Sequence, residues 1–528
     1  MNRKQTLNTL RTQVAWDIIV IGGGATGLGV ALDAVTRGYK TLLLEAHDFA
    51  KGTSSRSTKL LHGGVRYLAQ GNLELVSEAL RERGRLAHNA PHLFHAQPFI
   101  IPCKNWLGAS YYRVGLGMYD KLSGKLGIGA TNMLSRDEAR ARLPAVKHEQ
   151  LNLGICYYDG QFDDARLALT LAQSVHDHGG TVLNYCAVTG LEKNEAGKIC
   201  GVRCRDELDG GEEMVLQAAC VVNAAGAFAD TVLAWDDAGK PPRILLSQGT
   251  HLVLDAEFMP GTDALMVPKT SDGRVLFAIP WHGKLLVGTT DTPVPAAEYE
   301  PKPLAQETEF ILNTLKDYLQ RTPTAADVKS VFVGLRPLVK PADSSQSSKE
   351  VSRSHVVEVS PSGLLSIFGG KWTTYRQMAQ DGVDKAIQAG LLPERACQTE
   401  NLRLHGAEGA SEGFGKSHLS VYGGDAVRIR ALAEQDETLS LRIHPDHPYT
   451  YAQVAWALEH EAAHTLEDVL ARRIRLLFLD AAAAAACAAE VADFIAVRLG
   501  WGAERTAREI ESFNALSRQY LLSTVQAA

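Results

Sequence analysis

The apolar positions of this chain fall into short continuous runs separated by glycine turns. Residues 17–21 (DIIVI) and 41–44 (TLLL) are apolar without alternation, as expected of strands buried on both faces of a parallel sheet. Between them a glycine turn opens a helix predicted over 25–37. The same strand–turn–helix pattern recurs at 218–233 and 363–387. Residues 274–291 read as a hairpin with His282-Gly283 at its turn, and 328–338 alternate like a further strand. After Cys397 the pattern changes. "LHGAEGASEGFGKS" reads as a glycine-rich linker, and segments from about 426 to 526 read as helices. In "HTLEDVLARRIRLLFLD", Thr465 is placed as an N-cap with Asp468 three residues on, and the arginines near the end suit the helix dipole. "DAAAAAACAAEVADFIAVRL" reads as a structural helix whose alanines allow close packing.

One stretch fits neither period. "GTSSRSTKLLHGGVRYL", residues 52–68, is too polar for a buried strand and lacks the spacing of an amphipathic helix. Its hydroxyl and backbone groups need partners from outside the segment.

Composition narrows the class. A chain of 528 residues is too long for one core, so two or three domains are expected. A net charge of −6 gives no footprint for nucleic acid. The eight cysteines form no C-x-x-C and read as scattered reduced thiols, and no metal site is expected. The N-terminal residues lack the apolar core of a secretory signal, and no run reaches the ~18 apolar residues of a spanning helix. The expectation is a protein that is soluble or lies on a membrane without crossing it.

Gly22, Gly24 and Gly27 form G-x-G-x-x-G directly after a strand and at the opening of a helix. In that context the first glycine allows a tight turn, the second lets backbone approach a pyrophosphate, and the third lets helix pack on strand. The helix N-terminus presents N–H groups to the anion. Glu45 ends the next strand, where a carboxylate can bond ribose hydroxyls. An NAD domain would continue with further strands and helices. This chain runs instead into the polar stretch, with neither helix nor strand expected over 53–64, which suits a loop wrapping the pyrophosphate and ribityl chain of FAD.

The combination resembles the FAD-dependent, quinone-linked glycerol-3-phosphate dehydrogenase family, within the D-amino-acid-oxidase-like flavoproteins. The carriers are "IGGGATGLGVALDAVTRG", "TSSRSTKLLHGGVRYL", "SEALRER", "DDARL", "GRVLFAIPW", "VGTTDTP", "GLRPL", "FGGKWTTYR" and "EHEAAHTLEDVLARR", spread over about residues 16–475. The resemblance implies a mixed α/β and α+β fold. A Rossmann-like FAD-binding domain (16–90, 150–235 and 360–395) is interleaved with an antiparallel-sheet substrate domain (91–149 and 236–359), and a C-terminal helical domain follows (400–528). It implies oxidation of glycerol 3-phosphate to dihydroxyacetone phosphate, FAD, a quinone acceptor, and a location on the cytoplasmic face of the membrane; the FAD is expected to be noncovalent, with covalent attachment at His62 as the alternative. A homodimer is among the states it allows.

It also implies residue roles. Cofactor contacts fall on the glycine turn, Glu45, Thr53, Ser54, Ser55, Lys59, Leu60, His62, Gly63, Gly64, Ala224, Gly226, Gly370, Lys371 and Thr373. Substrate contacts fall on Arg66, Tyr67, Arg336, Arg353, Lys371 and Thr374, with Arg353 expected on the next strand of the sheet that carries Arg336. Arginine suits phosphate because its planar fork bonds two oxygens. Lys371 at a strand-to-helix junction suits a cation shared by substrate and flavin. His62 and His251 are both candidates for the general base, beside an arginine- or water-assisted route. Residues 106–125 combine Trp106, Tyr111, Tyr112, Met118 and Tyr119 with Arg113, Lys121 and Lys125, and read equally as core aromatics or as a headgroup contact. Two rivals stay open: a related oxidase of an amino or hydroxy acid, and a non-catalytic binding protein on the same fold.

Overall fold

The computed structural model describes residues 1–64, 72–208, 210–340, 355–410 and 413–525. Two sheets organise it. The first has the order 355–359, 364–369, 213–223, 16–21, 41–44 and 181–183, and from 364–369 onward all its neighbours are parallel. His355–Val359 closes one edge antiparallel, and 186–193 with 199–206 extend strand Glu213–Asn223 as an antiparallel flap. Helices Ala25–Thr36, Asp164–Asp177 and Tyr375–Gln388 pack together in the core over one face of this sheet. The unbroken apolar runs thus become strands buried on both sides.

The second sheet is mostly antiparallel and interleaved with the first along the chain, as expected. Its order is 292–294, 244–255, 284–288, 276–281, 264–267, 94–103, 153–162 and 60–61, with Val328–Val339 along the other edge of Ile244–Asp255. Side-chain alternation divides its apolar residues between two cores. Leu252, Leu254, Leu285, Val287 and Val331 face helix Ala305–Tyr318. Val253, Leu286 and Phe332 face the C-terminal helices.

Several expectations change. Residues 53–55 form a 3-10 turn and 60–61 a two-residue strand, where only loop was expected. The strand after Val328–Val339 is His355–Val359, which belongs to the first sheet, so the chain changes sheet there. Arg353 itself lies outside the described residues, as do Arg66 and Tyr67. The described parts of the glycine-rich 404–417 stretch are packed: Leu404, Ala407 and Phe414 are buried, and a Cβ on Gly423 would meet the Gly406 carbonyl at 2.0 Å. Thr465 does accept from the Asp468 N–H at 3.1 Å, but the helix then widens into a π-turn at Asp468–Arg473 and breaks at Arg475, which has φ +68°. Its arginines are drawn toward buried acids of the first domain instead of toward the helix end.

Candidate active site

An elongated cavity of two chambers runs between the sheets. Thr53, Arg56 and Leu335 line both chambers. The first is lined by Gly22, Gly24, Glu45, Ala224, Gly226 and Ser54, with Trp235 and Tyr299 opposite. Gly22 has φ +111°, and a Cβ there would meet the Ala224 carbonyl oxygen at 2.7 Å. A Cβ on Gly27 would lie 1.9 Å from the Gly22 carbonyl oxygen, so this glycine is needed for helix to meet turn. Glu45 turns back to accept from the Gly23 and His47 N–H groups at 2.6 and 2.9 Å. Burial pushes its carboxyl above the usual range, against the pull of those amides. Tyr299 stacks on Phe228 at 4.1 Å and closes the outer side.

The polar loop joins the chambers. Ser54 Oγ accepts from the Ala25 N–H at 2.9 Å, Thr53 Oγ1 donates to the Leu335 carbonyl at 2.6 Å, and Trp372 Nε1 donates to the Ser54 carbonyl at 3.0 Å. The loop's donors and acceptors are therefore answered by three separate elements. Glycine backbone at a helix start, a carboxylate beside the glycine turn and two adjoining chambers with shared walls fit a dinucleotide flavin, which these residues would hold.

The second chamber is lined by Arg336, Arg274, Arg56 and Lys371, with His62, His251 and the carboxylates Asp159 and Asp291. Arg336 is fixed from behind. Nη1 donates to the Gln248 carbonyl at 3.3 Å and Asp291 at 3.1 Å, and Nη2 to Thr289 Oγ1 at 3.2 Å and the Thr290 carbonyl at 3.0 Å. His251 is buried against Phe332, ring centroids 4.8 Å apart, and its Nε2 lies 2.9 Å from Thr58 Oγ1. Burial, reinforced by Lys59 and Arg336, holds its pKa well below 6.5, so the ring is neutral at pH 7.

The predicted residues do not all meet at this cavity. Leu60, Gly64, Gly370 and Thr373 line the second chamber. The Lys59 side chain turns away, bonding Asp164 at 2.7 Å and the Ser55 carbonyl at 2.9 Å, with Trp281 and Phe332 around it. Ser55 serves through that carbonyl, which also accepts from Arg475 Nη2 at 2.9 Å. Gly63 N–H donates to Tyr119 Oη at 2.7 Å, and a Cβ there would strike Leu80 and Tyr119. Thr374 Oγ1 bonds the Lys371 carbonyl at 3.4 Å, and no side-chain cap bond forms at this helix start. Sequence reasoning missed Arg56, Thr58, Arg274 and the turn at 289–291. The quoted "VGTTDTP" held a signal for the last, since three polar residues ending an apolar strand need a reason.

The FAD dependent oxidoreductase family profile matches residues 17–376, and the C-terminal domain of alpha-glycerophosphate oxidase matches residues 397–506. The chain thus belongs to the FAD-dependent oxidoreductases. It is 40% identical to the mitochondrial glycerol-3-phosphate dehydrogenase of Arabidopsis thaliana, over 94% of this chain and 85% of that one. It is 38% identical to the mouse mitochondrial enzyme, over 97% and 74%. The structure of glycerol-3-phosphate dehydrogenase from Bacillus halodurans complexed with FAD superposes with a TM-score of 0.79 at 30% identity, covering 98% of this chain and 97% of that one. Within the class, the chain is a member of the glycerol-3-phosphate dehydrogenase family.

Proposed function

We propose that this protein oxidises sn-glycerol 3-phosphate to dihydroxyacetone phosphate and that the electrons leave through FAD to a membrane quinone. The observation that carries the reading is the second chamber, where a guanidinium braced by fixed acceptors stands near a neutral buried imidazole. FAD, when bound, supplies the acceptor for the hydride. Arg336 binds the phosphate oxygens, and Lys371 adds positive potential. The substrate C–H bond gives up its electron pair as hydride, the O–H proton passes to a base at the chamber wall, for which His62 and His251 are the candidates, and the carbonyl forms. Arg274 and Arg56 are paired with Asp272 and Glu300, so the phosphate reading rests on the braced Arg336 fork and the Lys371 ammonium, a two-cation set that suits a phosphate dianion better than a single carboxylate.

Helix Trp106–Ser123 supports the membrane side of the reading. Ala109, Leu116, Tyr119 and Ser123 face the core, whereas Trp106, Leu107, Tyr111 and Val114 are 65–77% exposed and Met118 is 46% exposed. Arg113 and Lys121 are exposed on the same helix, and the Lys125 side chain lies outside the described residues. Among the described residues no helix is long and apolar enough to cross a membrane. A helix with one apolar outer face and flanking cations fits a headgroup boundary.

Anaerobic addition of glycerol 3-phosphate should bleach the flavin absorbance, and an unchanged spectrum overturns the reaction. Trp106→Ser/Leu107→Ser/Tyr111→Ser should lose the salt-resistant part of vesicle binding while keeping activity with a soluble dye. Parental binding by that variant removes the helix from the contact.

A further inference from the structure

Behind the wall that carries Arg336 and His251 lies a carboxylate that the reaction does not touch. Glu307 is only 2% exposed, in the first turn of helix Ala305–Tyr318. Its Oε2 accepts from Gln248 Nε2 at 2.7 Å, Thr250 Oγ1 at 2.7 Å and the Leu304 N–H at 3.1 Å. Its Oε1 accepts from Thr290 Oγ1 at 2.9 Å and Thr292 Oγ1 at 2.7 Å. All five donors are neutral, so hydrogen bonds alone compensate the buried charge.

The residues it grips are those that shape the site. Gln248 gives its side chain to Glu307 and its carbonyl to Arg336. Thr290 gives its hydroxyl to Glu307 and its carbonyl to Arg336, and accepts from the Thr250 N–H at 2.9 Å. Thr250 immediately precedes His251. A single carboxylate therefore ties strand Ile244–Asp255 to the turn at 289–292, the two backbone segments that fix the guanidinium. No neutral side chain accepts from five donors at once. Glutamine would present an NH2 to the threonine hydroxyls and force them to turn.

We propose that Glu307 is a positioning residue for the reaction: its charge fixes the strand and turn that aim Arg336 and hold His251, and so sets affinity for the phosphate-bearing substrate. This rests on the reading of the chamber as a glycerol-3-phosphate site.

The test uses full-length, FAD-loaded enzyme. Anaerobic flavin bleaching against glycerol 3-phosphate concentration gives a dissociation constant and a limiting rate. Calorimetry of the oxidised enzyme with dihydroxyacetone phosphate gives a second affinity that needs no turnover. Glu307→Gln should weaken both affinities about tenfold, the size of one charge-assisted hydrogen bond, and lower the limiting rate, with FAD content per chain unchanged. A packing role would lower the thermal midpoint and leave the affinities of the folded fraction alone. Folded, flavin-loaded Glu307→Gln with parental affinities overturns the proposal. If that variant does not fold, Thr292→Val decides. It removes one of the five donors and should weaken both ligands about threefold, and parental affinity there overturns the proposal. A parent whose flavin is not bleached by glycerol 3-phosphate refutes the reaction instead, which separates the two failures.

Discussion

Two regions of this molecule hold arginine in opposite ways. Where the C-terminal helices meet the first domain, charge is opposed by charge out of reach of water. Asp48 is bonded by Arg472 and by both Nη atoms of Arg473, at 2.5 and 2.8 Å for the latter. Arg166 makes a two-pronged pair with Glu461 at 2.9 and 2.7 Å, and Asp164 holds Lys59 and Arg475. At the site wall, among the described residues, Arg336 is bonded by the Asp291 carboxylate and by neutral acceptors, with its side chain 22% exposed toward the cavity. The first arrangement neutralises each guanidinium with buried carboxylates and fixes the C-terminal helices on the first domain. The second fixes a guanidinium while leaving positive potential for an anion. The same residue type thus serves assembly where carboxylates enclose it away from water, and recognition where its side chain is braced but still faces a cavity.

The comparison breaks most visibly at Asp48. Burial alone would raise its pKa, but Arg473 and Arg472 outweigh this and hold the carboxyl well below the usual range. Asp48→Ala would take from buried Arg473 the carboxylate it is paired with, while Arg472 keeps Glu467 and Asp468, so the cost sits toward the lower end of about 3–5 kcal/mol. The expected result is a much lower thermal midpoint with early release of flavin, because Asp48 lies close in the chain to the cofactor loop. The protein that remains folded should keep its parental KM for glycerol 3-phosphate. A parental midpoint would show that the ion pairs are not what holds the domains together.

Arg336 should respond the other way. Arg336→Ala leaves Asp291 near the cavity with Ser247 still bonded to it, so stability should change little. Losing a guanidinium–phosphate pair costs about 2–5 kcal/mol, and partial exposure puts the effect at the lower end, a rise in KM of about 30-fold. Glycerol, which lacks the phosphate, should react as in the parent. Equal losses on both substrates would make Arg336 a structural arginine like those at the domain contact.

This contrast also marks what the sequence could yield. Strands 16–21 and 41–44, the hairpin turning at His282-Gly283 and the glycine turn were legible because period and turn chemistry are local. Pairing of 94–103 with 153–162, and the change of sheet after Val339, depend on distant partners that no window contains. Arg472 and Arg473 look from sequence like helix-end cations, because their acid lies more than 400 positions away. Glu307 looks like a first-turn carboxylate serving the helix dipole, and only the fold reveals the four side chains converging on it.

The smallest expected effect lies between the two extremes, at a charged contact that still reaches water. His405, in the stretch read as a linker, is bonded by Asp177 through Nδ1 at 2.6 Å and by Asp425 through Nε2 at 2.8 Å. Burial lowers its pKa, but the hydrogen bonds to Asp177 and Asp425 outweigh that and raise it to about 9. A pKa raised on folding means that the folded state holds a proton the unfolded chain has released. The stabilisation is complete below the unfolded value of about 6.5 and fades as pH rises through about 9. With the side chain 24% exposed, solvent screening brings the expected size to about 1 kcal/mol. Thermal midpoints of the parent should therefore fall more steeply from pH 6.5 to 9.5 than those of His405→Gln, which has no proton to lose. Parallel slopes would show that this contact, unlike the one at Asp48, contributes packing without charge.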